Sequence, residues 1–160
     1  MYRHAAPTPP VARLLAGLIV ALALVGCQGV PVAKIEAGVT AVEEVNPDPT
    51  GRASPIRVVL YELTALSPFD GSDFFALYDR ARETLGSTLL VSEVLQFTPG
   101  ESRTIRRTMK PGAGFLGVVA AYRDVDATRW RASVATPPGR TTRIEIVVGP
   151  AAVTIGPATP

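Results

Sequence analysis

Residues 55–63 read Pro55-Ile56-Arg57-Val58-Val59-Leu60-Tyr61-Glu62-Leu63. The run is rich in β-branched and aromatic residues, and Pro55 bounds it, so it reads as a strand over Ile56 to Leu63. Outward from it the same kind of signal recurs. Leu90 to Phe97 and Ser102 to Met109 flank Thr98-Pro99-Gly100-Glu101, a turn with its Pro-Gly pair in the middle. Phe115 to Tyr122 is nearly continuously apolar, as expected for a central strand covered on both faces. Trp130 to Ala135, Thr141 to Val148 and Ala152 to Ile155 follow, and Ile144, Ile146 and Val148 alternate with Arg143 and Glu145. Upstream, Val39, Ala41 and Val42 mark a further strand, from Ala37 up to Val45. About eight short strands with one lone helix predict an all-β, mainly antiparallel β-sandwich.

That helix lies between Ser72 and Ala81. Phe74, Leu77, Tyr78 and Ala81 fall on one helical stripe, with Asp73, Asp79 and Arg80 turned outward. Ser72 is the expected N-cap. Core packing is the expected role of Phe74 and Tyr78.

The amino-terminal segment carries a different message. Arg3 and Arg13 precede Leu14 to Val25, twelve residues without a charge. Twelve helical residues cover about 18 Å, short of the roughly 30 Å hydrocarbon core, so the segment reads as a secretory leader over residues 1–26. Leu24-Val25-Gly26-Cys27 resembles the bacterial lipobox, in which the cysteine is acylated and the leader is removed before it. Cys27 is therefore the expected lipidation site; the alternative is an ordinary leader with an incidental cysteine. Gln28 follows it, not the aspartate that retains many lipoproteins in the inner membrane, so the resemblance implies the periplasmic face of the outer membrane. Residues 27–36 read as a lipid tether and 37–156 as the folded domain.

Removing residues 1–26 leaves 134 residues with 14 basic and 14 acidic side chains. A neutral domain has no general drive toward nucleic acid or anionic lipid. His4 departs as well, and the single cysteine is the expected lipid site. No Ser-His-Asp or Cys-His nucleophile and no histidine- or thiolate-ligated zinc can then be assembled, and no intramolecular disulfide forms. No Gly-x-Ser-x-Gly elbow, Gly-x-Gly-x-x-Gly or phosphate-loop pattern occurs. Glu43 and Glu44, adjacent on the expected strand, point to opposite faces and form no facing pair. Asp124 and Asp126 read as a solvated turn before a cation clamp. These residues predict no enzyme, no cofactor and no metal.

Two features remain. Arg103, Arg106, Arg107 and Lys110 form a basic cluster, read as a charged edge that blocks strand pairing or as a surface for an acidic partner. Asn46-Pro47-Asp48-Pro49-Thr50-Gly51-Arg52-Ala53-Ser54-Pro55 is a ten-residue loop with three prolines, longer than the two to five residues usual in hairpins. Long ordered loops on rigid scaffolds often bind partners, and prolines lower the entropy lost on docking; an inert crossover is the other reading.

Asn46-Pro47, Gly51-Arg52 and Pro55, then Val58-Val59-Leu60-Tyr61-Glu62-Leu63, Phe74, Thr84-Leu85-Gly86, Pro99-Gly100, Gly117 to Asp124 and Trp130-Arg131 stand in a recognisable order. The ordered set resembles the outer-membrane lipoprotein family of the type VI secretion system, TssJ. The resemblance implies a transthyretin-like two-sheet β-sandwich with one small added helix. It also implies a non-catalytic role, in which the protein binds the periplasmic C-terminal region of the inner-membrane protein TssM. The loop joining the first two strands would make that contact, through Asn46, Pro47, Gly51, Arg52 and Pro55 with the intervening Asp48, Pro49 and Thr50. Trp130 is expected as buried packing and Arg131 as a rim ion pair. A carrier lipoprotein holding a small apolar ligand between its sheets is the alternative.

Overall fold

In the computed structural model, which describes residues 30–158, the strands are β1 (Lys34–Ala41), β2 (Ile56–Leu63), β3 (Leu89–Phe97), β4 (Ser102–Thr108), β5 (Phe115–Ala120), β6 (Arg131–Ala135), β7 (Thr141–Val148) and β8 (Val153–Pro157). Two four-stranded sheets form, in the orders β4-β1-β7-β8 and β3-β2-β5-β6. All pairings are antiparallel except β1 with β7, which run parallel in the register Lys34↔Thr141 to Ala41↔Val148. The two-sheet β-sandwich expected from the sequence is the observed fold.

The period of two in β2 explains why this strand is buried almost throughout. Ile56, Val58 and Leu60 face the other sheet, packing with Ile35, Ala37, Val39, Ile144 and Ile146. Val59, Tyr61 and Leu63 face outward, where helix α1 (Ser67–Asp70) and helix α2 (Phe74–Leu85) cover them through Phe69, Phe74 and Leu77. β5 sits between β2 and β6, as its apolar run predicts. At Gly117 the backbone lies so close to α1 that a Cβ would stand 2.9 Å from the Phe69 ring.

Several local expectations are corrected. Asp73, not Ser72, caps α2, accepting from the Ala76 amide at 2.8 Å; the Ser72 hydroxyl instead donates to Pro68 O at 2.7 Å, closing α1. The helix also runs on to Leu85, past a non-helical residue at Arg80, and α1 is an additional short helix. β1 begins at Lys34, inside the expected tether, because Ala33 and Ile35 are already core residues. It ends at Ala41, so Glu43 and Glu44 are exposed in a turn that returns Val45 to the core. The turn over Thr98–Glu101 forms, but β3 and β4 belong to different sheets.

The two sheets are joined along both sides. On one side the Thr98–Glu101 turn passes between them, and Arg107 of β4 pairs across the gap with Glu93 and with buried Glu62 of the other sheet. On the other, the Arg129 amide donates to Ala151 O at 2.9 Å and the Val153 amide to Arg129 O at 2.9 Å.

Candidate protein-binding surface

The loop between β1 and β2 is a folded object. Asn46 is 5 % exposed and has φ 49°, a left-handed conformation that asparagine tolerates better than most residues. Its Nδ2 donates to Pro55 O at 3.0 Å, tying the start of the loop to its end, and its Oδ1 accepts the Arg123 amide at 2.9 Å. The Ser54 amide donates to Val45 O at 3.1 Å, and the Ser54 hydroxyl lies 3.3 Å from Arg123 Nη2.

Within the loop, one carboxylate organises the tip. Asp48 Oδ1 accepts from the Thr50 hydroxyl at 2.6 Å, the Thr50 amide at 2.9 Å and the Arg52 amide at 3.0 Å. Asp48 Oδ2 pairs with the Arg52 guanidinium at 3.0 Å, and Gly51, at φ 82°, closes the turn by donating to Asp48 O at 2.8 Å. The Thr50 hydroxyl, then the Arg52 amide, hold the Asp48 carboxyl below its ordinary 3.8. Pro47, Pro49, Thr50, Gly51, Arg52 and Pro55 are exposed around this framework.

A second wall faces the loop. Tyr122, 4 % exposed, donates to Gly149 O at 3.1 Å, and burial raises its phenol well above the usual value. Asp124 accepts the Ala127 amide at 3.1 Å and so caps its own turn. Together with Asn46 to Pro49, Pro150, Ala151 and Phe75 this wall encloses an open groove of ≈ 760 Å³. Phe75 was not singled out in the sequence; it is 62 % exposed and lies off the apolar stripe beside Phe74, a displacement of one residue that helical geometry turns to solvent.

The other candidates lie elsewhere. β4 is an edge strand, and its arginines are paired within the domain: Arg103 with Glu101 at 2.5 Å, Arg106 with Glu36 at 2.7 Å, and Arg107 with Glu62 and Glu93. The Arg106 guanidinium holds the Glu36 carboxyl below the usual range. Trp130 meets Phe74 edge-on at 5.4 Å. Arg131 makes no rim ion pair among the described residues: it donates to Phe69 O at 3.1 Å and Ser72 O at 2.6 Å and stacks on Trp130, because the last turn of α1 presents carbonyls there. Cys27 lies outside the described residues. Among those described, no helix is long and apolar enough to cross a membrane.

The family model T6SS-SciN, described as type VI secretion lipoprotein, VasD, EvfM, TssJ, matches residues 33–151. The crystal structure of the type VI lipoprotein TssJ1 from Pseudomonas aeruginosa is 37 % identical, covering 81 % of this chain and 99 % of that one, with a TM-score of 0.78. Serratia marcescens Lip, a membrane bound component of the type VI secretion system, is 25 % identical over 82 % of this chain and 100 % of its own, with a TM-score of 0.72. The fold is also shared by a chain in the structure of the TssM C-terminal domain (869–1107) from EAEC, at 22 % identity, 79 % and 99 % coverage and a TM-score of 0.66. Among curated proteins no sequence matches the chain.

Proposed function

The chain belongs to the type VI secretion lipoprotein family, a family of structural components and not of enzymes, and on that premise we propose how it is mounted and what it holds. Cys27 carries the lipid after removal of residues 1–26, and the domain hangs from the periplasmic face of the outer membrane. Its partner is the periplasmic C-terminal region of TssM, gripped by the 46–55 loop. Because β1 starts at Lys34, the tether reduces to residues 27–32 and the folded domain opens at Ala33.

The observation that carries this reading is the internally bonded tip of the loop. Asp48 and Asn46 satisfy the loop's polar groups from within, which leaves Pro47, Pro49, Thr50 and Arg52 on the surface at little further entropic cost to docking. β1 separates this loop from the tether by eight residues, about 26 Å of strand, so the gripping end is the end remote from the lipid. No observation on the interior favours the carrier alternative: the space between the sheets is filled by Ile35, Val58, Leu60, Phe97, Leu116 and Ile146, each at most 2 % exposed.

The test is calorimetric titration of a TssM periplasmic fragment into the mature protein and into Pro47→Gly/Pro49→Gly/Arg52→Ala. Binding lost in the variant while its thermal melt is retained supports the loop. Unchanged affinity would move the interface elsewhere. Fractionation of a Cys27→Ser chain tests the anchor separately: retention in the outer membrane would refute it.

A further inference from the structure

The end of the sandwich where the tether enters has an unanswered charge. Lys34 opens β1, and its amide donates to Arg140 O at 2.9 Å. Met109, next to Lys110, donates to Ala33 O at 2.9 Å. These bonds gather Lys34, Lys110 and Arg140 around one rim, and all three side chains are exposed. None has an ion pair with a described residue. Just above them on β1, the single carboxylate of Glu36 is shared by Arg106 at 2.7 Å and Arg143 at 3.4 Å, leaving a further cation in excess. Glu62 Oε2 accepts the Lys110 backbone amide at 2.8 Å, but the Glu62 carboxylate, like that of Glu93, has its ion pair with Arg107. The domain is neutral overall after loss of the leader, yet both lysines of the chain stand at this one end.

Chain length fixes what the rim faces. Five residues, 28–32, separate Cys27 from buried Ala33, six steps along the chain that reach at most about 22 Å when fully extended. If the sulfur is acylated, as proposed above and on which this inference rests, the rim is confined within a short distance of lipid headgroups. Cations held there act within the ~8 Å screening length of physiological salt whenever the domain tips onto the bilayer.

We propose that Lys34, Lys110 and Arg140 form a second, electrostatic contact that takes the phosphates of an anionic phospholipid surface. This contact orients the tethered domain: with the rim seated, the 46–55 loop points away from the membrane toward the periplasm. The lipid decides that the protein is attached, and the rim decides which way it stands. Each cation contributes about fivefold to partition onto an anionic surface.

The two lysines supply the test. The full acylated chain is reconstituted on vesicles of phosphatidylcholine alone or mixed with phosphatidylglycerol, and Lys34 and Lys110 are acetylated with a water-soluble reagent and read by mass spectrometry. Labelling severalfold slower on the phosphatidylglycerol vesicles, and restored by high salt, supports the rim. Equal labelling on both vesicles overturns it, while flotation with both leaves the anchor standing. A chain that floats with neither overturns both. The domain from Pro31 packs as its own compact unit. It therefore allows a check without the lipid: phosphatidylglycerol vesicles should bind it, and Lys34→Gln/Lys110→Gln/Arg140→Gln should bind about a hundredfold less. Equal binding by the variant would reject the assignment.

Discussion

Asn46 and Arg123, 77 residues apart, are joined by a hydrogen bond of 2.9 Å from the Arg123 amide to Asn46 Oδ1. The same side chain donates to Pro55 O, so one amide group locks the loop to itself and to the opposite wall of the groove. Asn46→Ala should lose both bonds and force alanine into left-handed backbone, lowering stability by about 3 kcal/mol. Asn46→Gly removes the bonds but relieves the backbone and should lose less, about 2 kcal/mol. Urea unfolding measures the difference, and hydrogen exchange over residues 47–54 should accelerate in both variants. Equal stability of the two would show that the backbone conformation carries no strain.

The loop tip should hold its shape in acid beyond the point where an ordinary aspartate protonates. Asp48 has its folded-state pKa below 3.8, so its contribution is complete above that value and lost only as pH falls through the depressed one. Carbon-detected titration of Asp48 should show a midpoint under 3.8, and Thr50→Val, which deletes the leading hydrogen bond, should raise it. An unchanged midpoint in Thr50→Val would assign the shift to the Thr50 and Arg52 amides and the Arg52 guanidinium.

Gly117 is there to let Phe69 lie on the sheet. A methyl group would stand 2.9 Å from the ring and 3.2 Å from Leu63, both in the packed layer beneath α1. Gly117→Ala should cost about 1–3 kcal/mol. Pairing it with Phe69→Leu should recover part of that loss, a coupling that a double-mutant cycle reads directly. Strict additivity would mean that the strand shifts and the ring does not.

Thr136, fully buried, has a hydroxyl without a hydrogen-bond partner among the described residues, while its amide donates to Gly114 O at 2.8 Å. Valine keeps the shape and the amide bond and removes the buried oxygen. Thr136→Val should therefore raise stability, by about 1 kcal/mol in thermal or urea melts. A loss of stability would show that the hydroxyl is satisfied in solution.

Much of the architecture was legible because its signals are local. β2, β5 and β7 lie within two residues of where composition and alternation place them, and proline density marks the loop. The apolar stripe places the helix but not its cap: Ser72 and Asp73 are equally good caps, and only contact with α1 engages the first elsewhere. The arginine cluster was visible while its partners were not. Glu36, Glu62 and Glu93 are distant in sequence: strand register brings Glu36 to Arg106, and the packing of one sheet on the other brings Glu62 and Glu93 to Arg107. Phe75 gave no signal beyond its offset from the apolar stripe, and the groove it borders is assembled from four separate segments.

By itself the sequence determined which stretches extend, where the chain must turn and which chemistry is absent. Those properties depend on side-chain period, backbone freedom and residue inventory, all carried by neighbours along the chain. The tertiary structure alone decided that β1 runs parallel beside β7, that β3 and β4 part into different sheets, and that Asn46 meets Arg123. Strand pairing and sheet closure are settled by hydrogen bonds and packing between residues tens of positions apart, for which a turn such as Pro99-Gly100 reads the same whichever sheet the next strand joins.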